Sequence, residues 1–451
     1  MILKAAEYGF SRPPLNYAKG MTSAYIAYPI AEKLERRNVS GKFREINDYY
    51  KLPFKEREEI VKQKLYETLS FANENVPYYR ELFSGINFDP EKIKKDINYL
   101  HDIPPLTKDI IREQGVRLLS SSLESTRHHV CKTGGSTGLS CFIYYDQEAA
   151  DYSSAVTLIS RDSVGNKKYK SELHFACRFK GEEQPNWPNR EDFKCFAMNR
   201  SNIFFSALDD AGLEEIIDTL RTRRPHLIHA HPSTIFALAC YVEKKYGNLK
   251  LFEVFESSGE LLESYMREKI ELVLRCRVIN RYGLAELGVM AYQYQNREDM
   301  FVYDSEGYPE NFTQEDGRKE LVFTGFRNKL MPLIRYRTGD VATVEKRNDG
   351  FYITDVTGRI HDVVTLNGTE FPTHHIQDVL DHRVGGIQEF QIDTRYGQPV
   401  LKLVLEVHAN ETDISSKIEH YWPGAFSVQF VGHDDFVRVG HRSKFRHVVD
   451  K

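Results

Sequence analysis

The sequence predicts an α/β fold: a large, multi-layered amino-terminal domain followed by a small α+β domain. Three observations lead there. Between residues 142 and 345, short β-branched or aromatic runs (FIYY, HLIH, LFEVFE, CRVINRY, ELVFT, VATVE) alternate with stretches of helical periodicity, the pattern of helices layered on a sheet. Past an RNDG turn near residue 350, Leu401, Leu403, Leu405 and Val407 alternate with Lys402 and Glu406, as on a strand with one buried face. A chain of 451 residues also exceeds what one small core organises.

The elements follow in order. Residues 55–83 set Val61, Leu65, Leu69 and Ala72 at helical spacing among Lys and Glu and run into NVPYYRELF, where Pro77 is expected to stop the helix. Residues 1–100 thus read as a helical arm. In PPLTKDIIR, Thr107 is the expected cap of a short helix. Helices are expected at 212–222 and 232–246, the second with Pro232 in its first turn. Beyond that come strands at 387–393 and 426–431 and helices near 373–381 and 412–421. The boundary is placed at 355–362, giving domains of 1–357 and 358–451. Neither internal repeats nor low-complexity tracts interrupt this plan.

Composition narrows the partners. With 61 basic against 65 acidic residues and a formal charge of -4, the chain carries no electrostatic footprint for nucleic acid or a membrane surface. Glu7 breaks the apolar core that a signal peptide would need in MILKAAEYGF, and no apolar run reaches about 18 residues. A cytoplasmic protein acting on small molecules is expected. The six cysteines form no CxxC pair, which argues against a disulfide framework and a zinc ribbon; a zinc held by isolated Cys and His stays open.

The stretch CKTGGSTGLS, residues 131–140, is the first with chemistry in it. Glycines let backbone amides face a ligand, hydroxyls add donors, and TGGSTG ahead of the strand FIYY suits phosphate oxygens. No Lys follows Gly138, so it is not a Walker A loop. Read alone, it serves equally as a hairpin turn.

Further motifs follow it: SSGELL (257–262), NRYGLAELG (280–288), PLIRYRTGD (332–340), GRIHDVVTLNG (358–368) and HRSKFRHVV (441–449). The ordered series resembles the core motifs of the adenylate-forming (acyl-CoA synthetase-like) superfamily. NVPYYRELF and IPPLTKDIIR are similar to amino-terminal signatures of its phenylacetate-CoA ligase and CapK (capsular polysaccharide biosynthesis) branch. The resemblance spans roughly residues 60–449.

It implies an enzyme that uses ATP and Mg²⁺ to convert a carboxylic acid to an acyl-adenylate, releases pyrophosphate, and passes the acyl group to a thiol, coenzyme A foremost. Thr133, Gly134, Gly135, Ser136, Thr137 and Gly138 would hold phosphates. Ser258, Gly259, Glu260, Arg281, Tyr282 and Gly283 would line the nucleotide site, with Tyr282 also near the acyl group. Glu286 would ligate Mg²⁺, since a hard cation takes carboxylate oxygen, and Asp340 would accept the ribose hydroxyls. Arg359 would pair with ribose or phosphate beside a hinge at His361 and Asp362. Lys444 would bring a cation between two anionic reactants. His229, His231, Ser233 and Ser257 are the acyl-pocket candidates. Two positions depart from the family pattern: Ala285 stands where Thr or Ser is usual, and Ser443 where Gly is. Rival readings are transfer to a carrier-protein thiol or to an amine or hydroxyl, a non-catalytic nucleotide-binding homologue, and a kinase, the last disfavoured by the missing Walker lysine. A homodimer is left open.

Overall fold

Apart from FIYY, which forms a separate hairpin, the β-branched runs between residues 142 and 345 become strands of one long sheet whose two halves obey different rules. A computed structural model describes residues 9–449 apart from 134–140, 178–188, 206–209, 260, 263, 295, 296, 298, 314–316, 318, 358–362, 396, 407, 433, 434, 440–443 and 446. Within them, β1 (His128–Thr133) and β2 (Cys141–Asp146) form an antiparallel hairpin. Next come β3 (Glu172–Cys177), β4 (Arg200–Phe205), β5 (Leu227–Ala230), β6 (Val254–Ser257) and β7 (Arg277–Leu284). Then follow β8 (Gly288–Gln293), β9 (Met300–Val302), β10 (Gly307–Thr313), β11 (Lys319–Gly325), β12 (Tyr336–Arg347) and β13 (Gly350–Thr357). Strands β3 to β13 lie side by side in the order β10-β11-β12-β13-β9-β8-β7-β6-β5-β3-β4.

β7 joins the halves: it pairs parallel with β6 and antiparallel with β8. On the parallel side β3 sits between β4 and β5, so the chain winds outward to β4 and then returns past β3 to begin β5. The crevice at the carboxyl ends of β3 and β5 is therefore a topological switch point, where open α/β sheets bind ligands. Helices Asp210–Arg223, Pro232–Tyr246 and Ser264–Leu274 cover this half, burying Ile217, Leu220, Leu238, Val242 and Ile270 against Phe255 and Val278.

The helical arm is a clamp. Phe54–Asn75 buries Val61, Leu65, Leu69 and Ala72, each large side chain being worth about 1.5–3 kcal/mol of transfer free energy. Pro77 ends this helix as expected but also opens the next, Pro77–Gly85. Its fixed φ and missing N–H suit a first helical position as well as they break an interior, so one expected helix is two. Thr107 caps Lys108–Gln114 by accepting from Ile110 N–H at 3.3 Å. Among the described residues no helix is long and apolar enough to cross a membrane.

The carboxy-terminal residues pack on a core of their own. β14 (Val363–Leu366) pairs with β15 (Thr369–Pro372), and β16 (Ile387–Asp393), β17 (Val400–Leu405) and β18 (Ser427–Phe430) follow. β19 (Arg438–Val439) pairs with β20 (Lys444–Phe445), and β21 (Val448–Val449) completes a four-stranded sheet, β18-β17-β16-β21. Ile376, Leu380, Phe390, Leu403, Ile418 and Trp422 form its interior. The expected boundary falls largely on 358–362, outside the described residues.

Candidate active site

A turn and a hairpin, far apart in sequence, meet at a cavity of about 620 Å³. The turn, residues 285–287, joins β7 to β8 and puts Ala285 and Glu286 on the cavity wall. It is tight: a Cβ on Gly283 would meet Gly288 O at 2.3 Å, so only glycine lets the backbones approach. The hairpin is β1–β2, whose His129 and Tyr145 line the same cavity. Thr133 ends β1 opposite Cys141, so the glycine-and-hydroxyl stretch is the hairpin's connection; Gly134, Gly135, Ser136, Thr137 and Gly138 lie outside the described residues. Cys131, two residues before Thr133, has its thiol pushed up to about 12 by burial and next by the charge of Glu286, which marks how near the glutamate lies to β1.

Glu286 is buried, 8% exposed. Among the described residues its one hydrogen bond comes from Tyr336, whose hydroxyl donates to Oε1 at 2.7 Å. The amino-terminal signatures explain why Tyr336 is there. Leu106 of IPPLTKD forms a parallel bridge with Tyr336: Leu106 N–H donates to Arg335 O at 2.9 Å and Arg337 N–H to Leu106 O at 3.0 Å. Tyr79 of NVPYYRELF, fully buried, donates to Pro332 O at 2.9 Å and accepts from Ile334 N–H at 3.2 Å. Both motifs therefore clamp PLIRY, and through it the glutamate.

Asp340 sits inside β12. The pairing of β11 with β12 slips between Glu320 and Val322, and such a bulge re-aims a side chain within a strand. Tyr282 donates to Asp340 Oδ2 at 2.7 Å, joining the NRYGL and RTGD motifs. Burial, then Asp340, holds the Tyr282 phenol well above its usual range, so it stays a donor.

At the carboxyl ends of β5 and β6, Ser257 is fully buried and its Oγ has no hydrogen-bond partner among the described residues. Ser258 Oγ accepts from Arg281 Nη1 at 2.9 Å. Gly259 has φ +87°, and a Cβ there would lie 2.4 Å from His231 Cε1, so the glycine packs on the imidazole. His231 precedes helix Pro232–Tyr246, whose first turn contains Ser233. His229 lies under this rim, its Nδ1 2.8 Å from Glu256 Oε1. Glu260, Arg359, His361 and Asp362 lie outside the described residues. Lys444 opens β20, opposite Val439.

Three groupings escaped the sequence reading. Tyr336 stood in a quoted motif, but its partner depends on a long-range bridge. Arg161 donates to Glu172 Oε2 at 2.6 Å and Glu256 Oε1 at 2.7 Å, while Tyr292 donates to Glu256 Oε2 at 2.7 Å; a charge inside the wholly buried run of β6 was the available signal. Lys132 donates to Asp381 Oδ1 at 2.9 Å and Ile387 O at 3.0 Å, linking the hairpin to the carboxy-terminal unit.

Among the described residues no group of three or more His, Cys, Asp and Glu is placed to hold a metal ion. A lone carboxylate such as Glu286 fits a cation of the Mg²⁺ type, which takes one or two carboxylates and completes its shell with phosphate and water.

No protein-family model matches the chain. Among curated proteins it is 22% identical over 413 residues to protein CapK of Staphylococcus aureus, covering 88% of this chain and 87% of that one. It is 24% identical over 361 residues to phenylacetate-coenzyme A ligase of Escherichia coli (strain K12), covering 72% and 76%. Among solved structures, 2-hydroxyisobutyryl-CoA ligase in the postadenylation state shares the fold, with a TM-score of 0.55 at 17% identity over 89% of this chain and 90% of that one. Motif order, sheet architecture and relatives thus converge: the chain has the fold of an adenylate-forming ligase and is similar to the phenylacetate-CoA ligase and CapK branch of the acyl-CoA synthetase-like superfamily.

Proposed function

We propose that the protein activates a carboxylic acid with ATP to an acyl-adenylate, releases pyrophosphate, and transfers the acyl group to the thiol of coenzyme A. The observation that carries this reading is the buried glutamate of the β7–β8 turn, restrained among the described residues by one hydrogen bond and facing a cavity shared with the hairpin of the glycine-and-hydroxyl stretch. Glu286 would hold Mg²⁺, which would supply neutralising charge to the phosphates. Thr133 and residues 134–138 would bind the phosphates, Asp340 the ribose, and Arg359 ribose or phosphate.

The chemistry sets two like-charged reactants against each other, carboxylate against α-phosphate, so a cation between them lowers the barrier. Lys444 has that role in this proposal, carried on a mobile domain of residues 358–451 that turns about 361–362. Ala285 offers no hydroxyl to the α-phosphate, so Glu286 and the hairpin connection would bear more of the charge.

The test is exchange of labelled pyrophosphate into ATP over a panel of acids, with and without coenzyme A. Exchange with at least one acid, AMP as product, and a thioester when coenzyme A is added are expected. ATP binding by folded protein with no exchange for any acid would leave a nucleotide-binding homologue, and ADP as product would leave a kinase.

A further inference from the structure

Beside the cavity holding Glu286 lies a second, of about 1300 Å³, lined mainly by apolar surface that includes Tyr28, Phe43, Leu158, Phe193 and Met198. The two share the wall residues Glu35, Arg37, Ser154, Arg190 and Lys194, so the chambers are contiguous. The larger one ends at the topological switch point, on His174 of β3 and His229 of β5. These two face each other in register across the parallel pair, and His229 is in turn opposite Glu256 of β6. The rings are 5.0 Å apart, tilted by 49°.

Burial favours the neutral form of both imidazoles. Burial lowers His174 well below its usual range, with Arg161 and His229 adding to it, and burial also lowers His229 despite the nearby Glu256. A neutral ring has one donor and one acceptor nitrogen, and the neighbour of one nitrogen decides which is which. The carboxylate of Glu256, with Oε1 2.8 Å from His229 Nδ1 though not aligned with it as a hydrogen bond, favours a proton on Nδ1 and so Nε2 as the acceptor. His174 Nε2 is buried, has no hydrogen-bond partner among the described residues, and is 3.6 Å from Glu172 Oε2, near enough for the carboxylate to favour a proton on that nitrogen but too far to bond it. This part of the chamber wall, which Arg161, Glu172, Arg200 and Arg281 also line, thus presents one imidazole donor and one imidazole acceptor side by side.

We infer that His174 and His229 read a hydroxyl that the acid substrate carries away from its carboxylate. A hydroxyl is the small group that donates and accepts at once, and filling the chamber with hydrocarbon would leave both ring nitrogens unmet. The inference rests on the ligase reading above and adds the substrate class to it: hydroxylated acids rather than their plain hydrocarbon counterparts.

Pyrophosphate exchange is measured with acid pairs matched in skeleton, such as 3-phenylpropanoate against 3-(4-hydroxyphenyl)propanoate and octanoate against 8-hydroxyoctanoate. For at least one pair, kcat/KM should favour the hydroxy acid by about 10²-fold or more, the discrimination available when a site's buried polar groups are left unmet. His174→Leu should collapse that ratio to within about threefold of one, and His174→Gln, which keeps an N–H, should restore part of it. Thermal unfolding of each variant checks that the ratio is taken on folded protein. Plain acids used as well as hydroxy acids in every pair, or a ratio that His174→Leu leaves intact, would overturn the inference while the ligase reading stands. Exchange with no acid at all removes both.

Discussion

Two buried glutamates, thirty residues apart in chain order, show how this molecule separates holding itself together from holding a ligand. Glu256 is 0% exposed and both its oxygens are used: Arg161 and His229 meet Oε1, Tyr292 meets Oε2. Burial would raise its pKa, yet Arg161 and His229 more than reverse that, and the carboxyl stays well below its usual range. Glu286 is nearly as buried, but among the described residues only Tyr336 bonds it. A buried carboxylate with spare acceptor capacity is a cost to folding unless something arrives to use it. Saturation marks the structural residue; the spare valence marks the site.

The largest expected effect breaks the first member. Glu256→Gln leaves Arg161 with Glu172 as its remaining counter-charge in the core, so the cost should approach but not exceed about 3–5 kcal/mol, that of a fully unpaired buried charge; urea unfolding measures it, and a loss under about 1 kcal/mol would equate the two sites. The pH dependence has a definite sign. Because the folded pKa is below 4.5, the wild-type contribution is complete above that value and is lost as pH falls through the lower, folded one. The variant's acid limb should be shallower.

Glu286→Gln should do the reverse. The amide still accepts from Tyr336, so the thermal midpoint should move by no more than a few degrees, whereas a missing charge at a metal-phosphate site is worth several kcal/mol, on the order of 10²–10³ in exchange rate. A folded variant with wild-type exchange would transfer the metal role elsewhere. Tyr336→Phe probes the link between frame and site: removing a hydroxyl bonded to a carboxylate costs about 1.5–3 kcal/mol of stability and, by loosening Glu286, about tenfold in kcat/KM.

What the sequence makes legible follows the range of the forces involved. Helix Pro232–Tyr246 is foreseen to the residue, because periodicity and a first-turn proline are local. Strand Ile387–Asp393 is foreseen likewise, and the motif order anticipates the fold. The place of Asp340 within a strand is not legible, because RTGD has turn chemistry while Gly339, at φ +81°, is accommodated within β12. The hydrogen bond from Tyr336 to Glu286 is invisible for a different reason: it depends on Leu106 pairing with a strand far along the chain. Such parallel pairing between distant segments leaves no periodic trace. The His174–His229 pair is hidden in the same way, since only the returning connection past β3 brings the two strands together.

The smallest effect sharpens the comparison from the opposite end of the burial scale. Lys132 and Asp381 form the same kind of pair as Arg161 and Glu256, but their side chains are 24% and 23% exposed. Solvent screens them, and ordering two side chains consumes much of the Coulombic gain, so the coupling should be about 0.2–1 kcal/mol. A double-mutant cycle of Lys132→Gln and Asp381→Asn, followed by urea unfolding at low and high salt, measures it. The coupling should fade with added salt, as exposed charges do. A salt-independent coupling above about 2 kcal/mol would mean that the hairpin and the carboxy-terminal unit are held as rigidly as the core. That outcome would contradict a domain free to turn between the steps of the proposed reaction, because such a domain needs contacts that it can leave at small cost.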